Sequence, residues 1–85
     1  MLFRALMRAQ GVFEDGERDA DALRAILSST VAGEALAREE YVSAADPETL
    51  DELERVEAGV LLSLAVRVGK TRLIDNVALH TANEP

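Results

Sequence analysis

Eighty-five residues suffice for one small domain, 1–85, and with no cysteine among them a disulfide framework, a thiolate metal site and a thiol nucleophile are all excluded. Sixteen acidic against nine basic residues give a formal charge of -7, which disfavours phosphate backbones and anionic membrane surfaces and argues against nucleic-acid binding. Hydrophobic residues make up 48% of the chain but aromatics only 4%, so the core has to be built from Leu, Val, Ile and Ala.

Leu2, Phe3, Leu6 and Met7, with Phe13 one heptad after Leu6, predict an amphipathic helix. No capping residue precedes it, as if the helix or the protein began upstream. Glu14-Asp15-Gly16-Glu17-Arg18 breaks the pattern. Asp19 is then a good N-cap for a second helix with the stripe Leu23, Ile26, Leu27 and Val31, and Asp21 in its first turn suits the helix dipole. The two helices are expected to lie antiparallel. Residues 41–45 read as a weak strand, since Ala and Ser have little β preference. Asp46 as N-cap with Pro47 at the first helical position opens a brief third helix over 48–54, with Leu50 and Leu53 facing inward. The strongest strand signal is 60–68, apolar on nearly both faces and so central in its sheet. Gly69-Lys70 reads as a hairpin turn, 71–79 as a third strand, and the tail from Thr81 as frayed. The expected fold class is α+β: two N-terminal helices packed on a small three-stranded, mainly antiparallel sheet, with one additional short helix.

The apolar stretch 60–66 is interrupted by Ser63 and ended by Arg67, far short of the roughly 20 residues a bilayer demands. Met1-Leu2-Phe3-Arg4 is not the start of an export signal, so no membrane association and a cytoplasmic location are expected.

Gly69-Lys70-Thr71 looks like the end of a phosphate-binding loop, but position 64 is leucine where that loop needs glycine, and a strand follows instead of a helix. The acidic run 14–21 misses the glycine and glutamate positions of a calcium loop, and His80 is the only histidine, so no metal site is expected. Ser28-Ser29-Thr30 fall in the last turns of the second helix with no histidine near in sequence, and are read as helix-end hydroxyls. No catalytic residue is therefore expected in the chain. Strict alternation puts Asp75 on the face of Leu73, Val77 and Leu79, where it needs a partner, Arg67 or Arg72, or an exposed strand edge. Arg67, Lys70 and Arg72 gather three of the nine basic side chains at one hairpin tip. With a two-residue turn, Arg67 and Arg72 face each other across the ladder, which is unfavourable unless an anion or a carboxylate sits between them. They are the candidate residues for binding a substrate anion.

The order Leu62-Ser63-Leu64-Ala65-Val66-Arg67-Val68-Gly69-Lys70-Thr71-Arg72-Leu73-Ile74-Asp75-Asn76 resembles the closing segment of pantothenate synthetases, the pantoate–β-alanine ligases. Gly16-Glu17-Arg18-Asp19-Ala20-Asp21-Ala22-Leu23-Arg24 and Tyr41-Val42-Ser43-Ala44-Ala45-Asp46-Pro47-Glu48-Thr49-Leu50 are similar to corresponding parts of that family's C-terminal domain. The resemblance implies an enzyme that uses ATP to activate pantoate as an adenylate and lets β-alanine displace AMP, with ATP and Mg as requirements of the full-length protein. It implies a C-terminal lid closing over a Rossmann-like N-terminal domain that holds ATP and pantoate and carries a paired-histidine motif, with a Ser-Ser-Arg-Asn loop preceding the lid. Neither feature occurs here, so no family catalytic residue can be placed on this chain. It is expected to bind no cofactor and to be inactive alone, with the N-terminal domain as its partner. Self-association through a free sheet edge is a further expectation. A free-standing interaction or dimerisation module sharing the lid's fold is the alternative.

Overall fold

The structure is a computed structural model and describes residues 2–81. Helices α1 (Leu2–Glu14) and α2 (Ala20–Ala32) are followed by strands β1 (Ala37–Ala45), β2 (Gly59–Val68) and β3 (Thr71–His80). The strands form one antiparallel sheet in the order β1-β2-β3, so the most apolar strand is central, as its sequence demands.

Helix α1 buries Leu2, Ala5, Leu6, Ala9 and Phe13, a stripe at helical spacing. The expected stripe is thus rotated: Phe3 and Met7 are 71% and 49% exposed, and the alanines take the inward positions. Glycine ends this helix for a conformational reason. Gly16 has φ +114, and the bonds Glu17 N–H to Val12 O (3.1 Å) and Gly16 N–H to Phe13 O (3.0 Å) close a Schellman-type cap. Arg18 fastens the turn, stacking 4.0 Å above the Phe13 ring and donating to the Phe13 carbonyl at 2.7 Å. Asp19 then caps α2 as expected, accepting from the Asp21 and Ala22 N–H groups.

Both helices cover one face of the sheet, α1 over β3 and α2 over β1. Alternation places Val60, Leu62, Leu64 and Val66 of β2 against them, with Ala44 and Leu79 on the flanking strands, and these residues are buried with the helix stripes in one core. Strand β1 begins earlier than its composition suggests, at Ala37, and carries Arg38-Glu39-Glu40 through a register shift between Glu39 and Tyr41. Strand β3 pairs with β2 over ten residues without interruption.

The third helix does not form. Asp46 does act as a cap, its carboxylate accepting from Glu48 N–H (2.8 Å) and Thr49 N–H (3.1 Å), and Leu50 N–H reaches the Asp46 carbonyl at 2.8 Å. That single turn ends at Leu50, whose φ of +67 is left-handed, a conformation that costs an L-residue about 1–2 kcal/mol. Beyond it the backbone finds long-range partners in place of helical ones. Leu53 N–H donates to Ala44 O (2.9 Å), Val56 N–H to Arg18 O (2.8 Å), and Glu54 O accepts from Ala20 N–H (3.0 Å). Leu50 is accordingly 63% exposed, Leu53 is half-buried, and Val56 supplies the loop's buried anchor.

Thr81, expected in the tail, donates its N–H to the Ala58 carbonyl at 2.9 Å; the rest of that tail lies outside the described residues. No helix among the described residues is long and apolar enough to cross a membrane.

Candidate functional site

The sheet face opposite the helices is open. Here Tyr41, Ala65 and Ile74 form one cross-strand row, with Tyr41 40% and Ile74 53% exposed. The row nearer the hairpin tip is Arg38, Arg67 and Arg72, each the register partner of the next. Directly opposed residues project to the same side of a sheet, so three guanidinium groups stand side by side on this face.

One carboxylate sits between them. Arg67 Nε donates to Glu40 Oε2 at 3.0 Å and Arg72 Nε to Glu40 Oε1 at 2.5 Å. This is the counter-charge that two facing arginines require, and β1 supplies it. Glu40 stands two residues after Arg38, so alternation keeps it on that residue's side of the sheet, and the register shift between Glu39 and Tyr41 then returns Tyr41 to the same side. The bond from Arg72, joined by that from Arg67 and opposed by some desolvation, holds the Glu40 carboxyl below its ordinary value.

Of the expected site residues, Arg67 and Arg72 are thus together and about half exposed, while Lys70 projects from the turn, where Gly69 at φ +61 provides the left-handed residue a tight hairpin needs. Neither Arg67 nor Arg72 reaches Asp75. That carboxylate is exposed on the uncovered part of β3 and accepts from the N–H of Asn76 at 2.8 Å, so the exposed-edge reading of it stands and the arginine pairing does not. Arg38 belongs to the cluster but is absent from the sequence-level candidates, because it enters only once β1 is started at Ala37. Arg38 and Lys70 have no ion pair among the described residues.

The other end of the sheet holds a half-open concavity of about 390 Å³ between the 46–58 loop and the end of β3, lined by Asp46, Glu48, Glu57, Arg55 and His80 among others. Its mixed charges do not converge: among the described residues no three acidic or histidine side chains are placed to hold a metal ion. His80 lies at this end, paired with Gly59, whereas Ser28, Ser29 and Thr30 lie at the end of α2 that feeds β1 beside the hairpin tip. No Ser–His pair exists among the described residues. Thr30 is a buried tie, accepting from Arg8 at 2.9 Å and donating to Ile26 O at 2.8 Å.

A second polar centre is structural. Glu52 accepts from Ser43 Oγ, from Ala44 N–H at 3.2 Å and from Arg24 at 3.0 Å. Desolvation would raise its pKa, but these three bonds together outweigh it and lower it. Asp46 is lowered too, by the N–H groups of Thr49 and Glu48. A carboxylate whose folded pKa is depressed adds stability that is complete above its unfolded value and is lost as the pH falls through the folded one. The melting temperature of the chain is therefore expected to be flat near neutrality and to fall below about pH 4. Glu52→Gln should lower the neutral plateau and soften the acid limb; an unchanged acid limb would mean that Glu52 takes no part in it.

The chain matches the family model described as pantoate-beta-alanine ligase over residues 1–78. It is 56% identical over 81 residues to the pantothenate synthetase of Chloroflexus aurantiacus and 51% identical over 80 residues to that of Herpetosiphon aurantiacus, matches that take in 94% and 93% of this chain. In both cases it spans only 29% of the relative's length. The crystal structure of pantothenate synthetase from Thermus thermophilus superposes with a TM-score of 0.79 at 34% identity, covering 89% of this chain and 27% of that one. A chain that matches these sequences over nearly all of its own length, and superposes on the Thermus thermophilus structure, belongs to the pantoate–β-alanine ligase family.

Proposed function

We propose that this chain is the C-terminal lid domain of a pantothenate synthetase, the ligase that joins pantoate to β-alanine through a pantoyl adenylate at the expense of ATP, and that it is catalytically silent alone. The observation that carries this reading is the match of nearly the whole chain to little more than a quarter of each relative. The chemistry agrees with it. Adenylate formation needs a held triphosphate, a positioned carboxylate nucleophile and stabilisation of the transferring phosphoryl group. The described residues offer one basic row on an open sheet face and no second set of groups facing it, which suits a surface that completes a site built elsewhere. Closing such a face over a nucleotide excludes water and strengthens each cation–phosphate contact.

The test is AMP release from ATP, pantoate and β-alanine. The pure chain is expected to give none. Grafted in place of the matching segment of the Chloroflexus aurantiacus enzyme, it is expected to restore turnover that the truncated relative lacks. In that chimera Lys70→Ala should raise the apparent KM for ATP with a stability loss under about 0.5 kcal/mol, since the side chain stands free in a turn. Turnover by the chain alone, or a folded chimera no more active than the truncated relative, would overturn the proposal and favour an independent interaction module.

A further inference from the structure

We propose that the row Arg38, Arg67 and Arg72 is a binding site for an extended polyphosphate, and that Glu40 is a built-in competitor occupying two of its three arginines until that anion arrives. The register is the first support: three arginines directly opposed across three strands put two like-charged pairs in contact, an arrangement that costs stability unless anions are shared among them. One carboxylate is provided for three guanidinium groups, so the row retains an excess of two positive charges, with Lys70 adding a third nearby, in a chain whose formal charge is -7. The excess is greatest at the Arg38 end. Arg38 is unpaired among the described residues, and Arg67 and Arg72 are each bound to Glu40 through Nε alone, which leaves their terminal nitrogens for a second acceptor.

Neighbouring strands lie about 4.8 Å apart, so the row is roughly 10 Å long. A single phosphate is much shorter than this row, whereas a chain of phosphates spans it. Guanidinium forks bind such oxygens two at a time, which gives the row geometric preference as well as charge. Glu40 presents two oxygens to two arginines in the manner of a phosphate, and it stands on the edge strand β1 outside the core, where it can turn aside without disturbing the packing. Identifying the polyphosphate with the triphosphate of ATP rests on the lid reading above; the site itself does not.

The 85-residue chain, titrated with sodium tripolyphosphate and followed by the NMR signals of its arginine Nε–H groups, tests this. Tripolyphosphate is expected to shift Arg38, Arg67 and Arg72 together, to bind more tightly than orthophosphate and to weaken with added salt. Glu40→Gln removes the competitor's charge and should tighten binding roughly three- to tenfold. Arg38→Gln breaks no side-chain hydrogen bond or ion pair among the described residues, so it should leave the fold intact and erase the preference for tripolyphosphate over orthophosphate. On the lid reading, ATP is expected to compete with tripolyphosphate for the same three arginines. Equal affinity for orthophosphate, no gain in Glu40→Gln, shifts confined to other residues, or tighter binding of polyglutamate would each overturn the proposal, the last by making this face a dock for protein carboxylates. If polyphosphate binds but the grafted enzyme is dead, only the lid reading falls; if the graft works and polyphosphate does not bind, only this site falls.

Discussion

Arg24→Met is expected to destabilise the chain by about 2–3 kcal/mol, the loss of several charge-assisted bonds from a side chain that is only 18% exposed. From the second turn of α2 its guanidinium donates to the carbonyls of Ala44 (2.9 Å) and Leu53 (2.5 Å), to Glu52 (3.1 Å) and to Asp21 (2.7 Å). One residue thereby joins the helix layer, the end of β1 and the 46–58 loop. Methionine keeps the apolar stem but leaves the Leu53 carbonyl without its donor, whereas Ala44 O still receives Leu53 N–H and Glu52 keeps Ser43 and Ala44. For a domain of this size the expected loss is a fall in melting temperature of roughly 10–20 °C. Arg24→Lys should recover only part of it, because a point charge cannot serve four acceptors in a planar fork. The control is Arg4→Met, which breaks the ion pair with Glu34 at 63% and 42% exposure and should cost under about 1 kcal/mol. Equal denaturation midpoints for Arg24→Met and Arg4→Met would show that the network holds nothing together.

That network also marks the limit of what the sequence discloses. Periodicity alone locates both helices, the Asp19 cap and the central strand, because each is a local pattern with a local cause. It misplaces Phe3 and Met7, since a helix with large residues at 2, 3, 6 and 7 has two possible inward faces, and only the packing of Ala5 and Ala9 against a neighbour decides between them. The third helix fails for a related reason. Asp46-Pro47 is a genuine helix start, but whether the turn propagates depends on Leu53 and Val56 finding partners on Ala44 and Arg18, residues distant in sequence.

The site divides in the same way. Arg67 and Arg72 are legible as facing partners because a two-residue hairpin fixes their register, and the need for an anion or a carboxylate between them follows from charge alone. Its identity does not follow. Glu40 and Arg38 both reach them only through the long-range pairing of β1 with β2, in a stretch that precedes the residues legible as strand. Membership of the ligase family is visible in the ordered Arg-Leu-Ile-Asp-Asn segment, whose residues are partly exposed and so are not dictated by core packing.

Leu62→Ala and Ile74→Ser should separate the two faces of the sheet. Leu62 is fully buried in the central strand, paired with Ala44 on one side and Val77 on the other and packed in the core with the helices. Truncating it leaves a cavity among residues that are themselves close-packed, at a cost of about 2–5 kcal/mol. A domain of this length has roughly 4–13 kcal/mol of stability in total, so the variant is expected to lose cooperative thermal unfolding or to melt far lower. Ile74 stands on the opposite face in the row beside the arginines and is 53% exposed, so Ile74→Ser should change the stability of the isolated chain by under about 0.5 kcal/mol. On the proposed function, its effect belongs to the assembled enzyme. If, as proposed, the open face closes over a nucleotide-bearing domain, Ile74 is buried there, and the substitution should reduce turnover of the chimera several-fold while leaving the melting curve of the isolated chain untouched. A stability loss in the isolated chain comparable to that of Leu62→Ala would mean that both faces are core, and that this sheet has no surface free to close over anything.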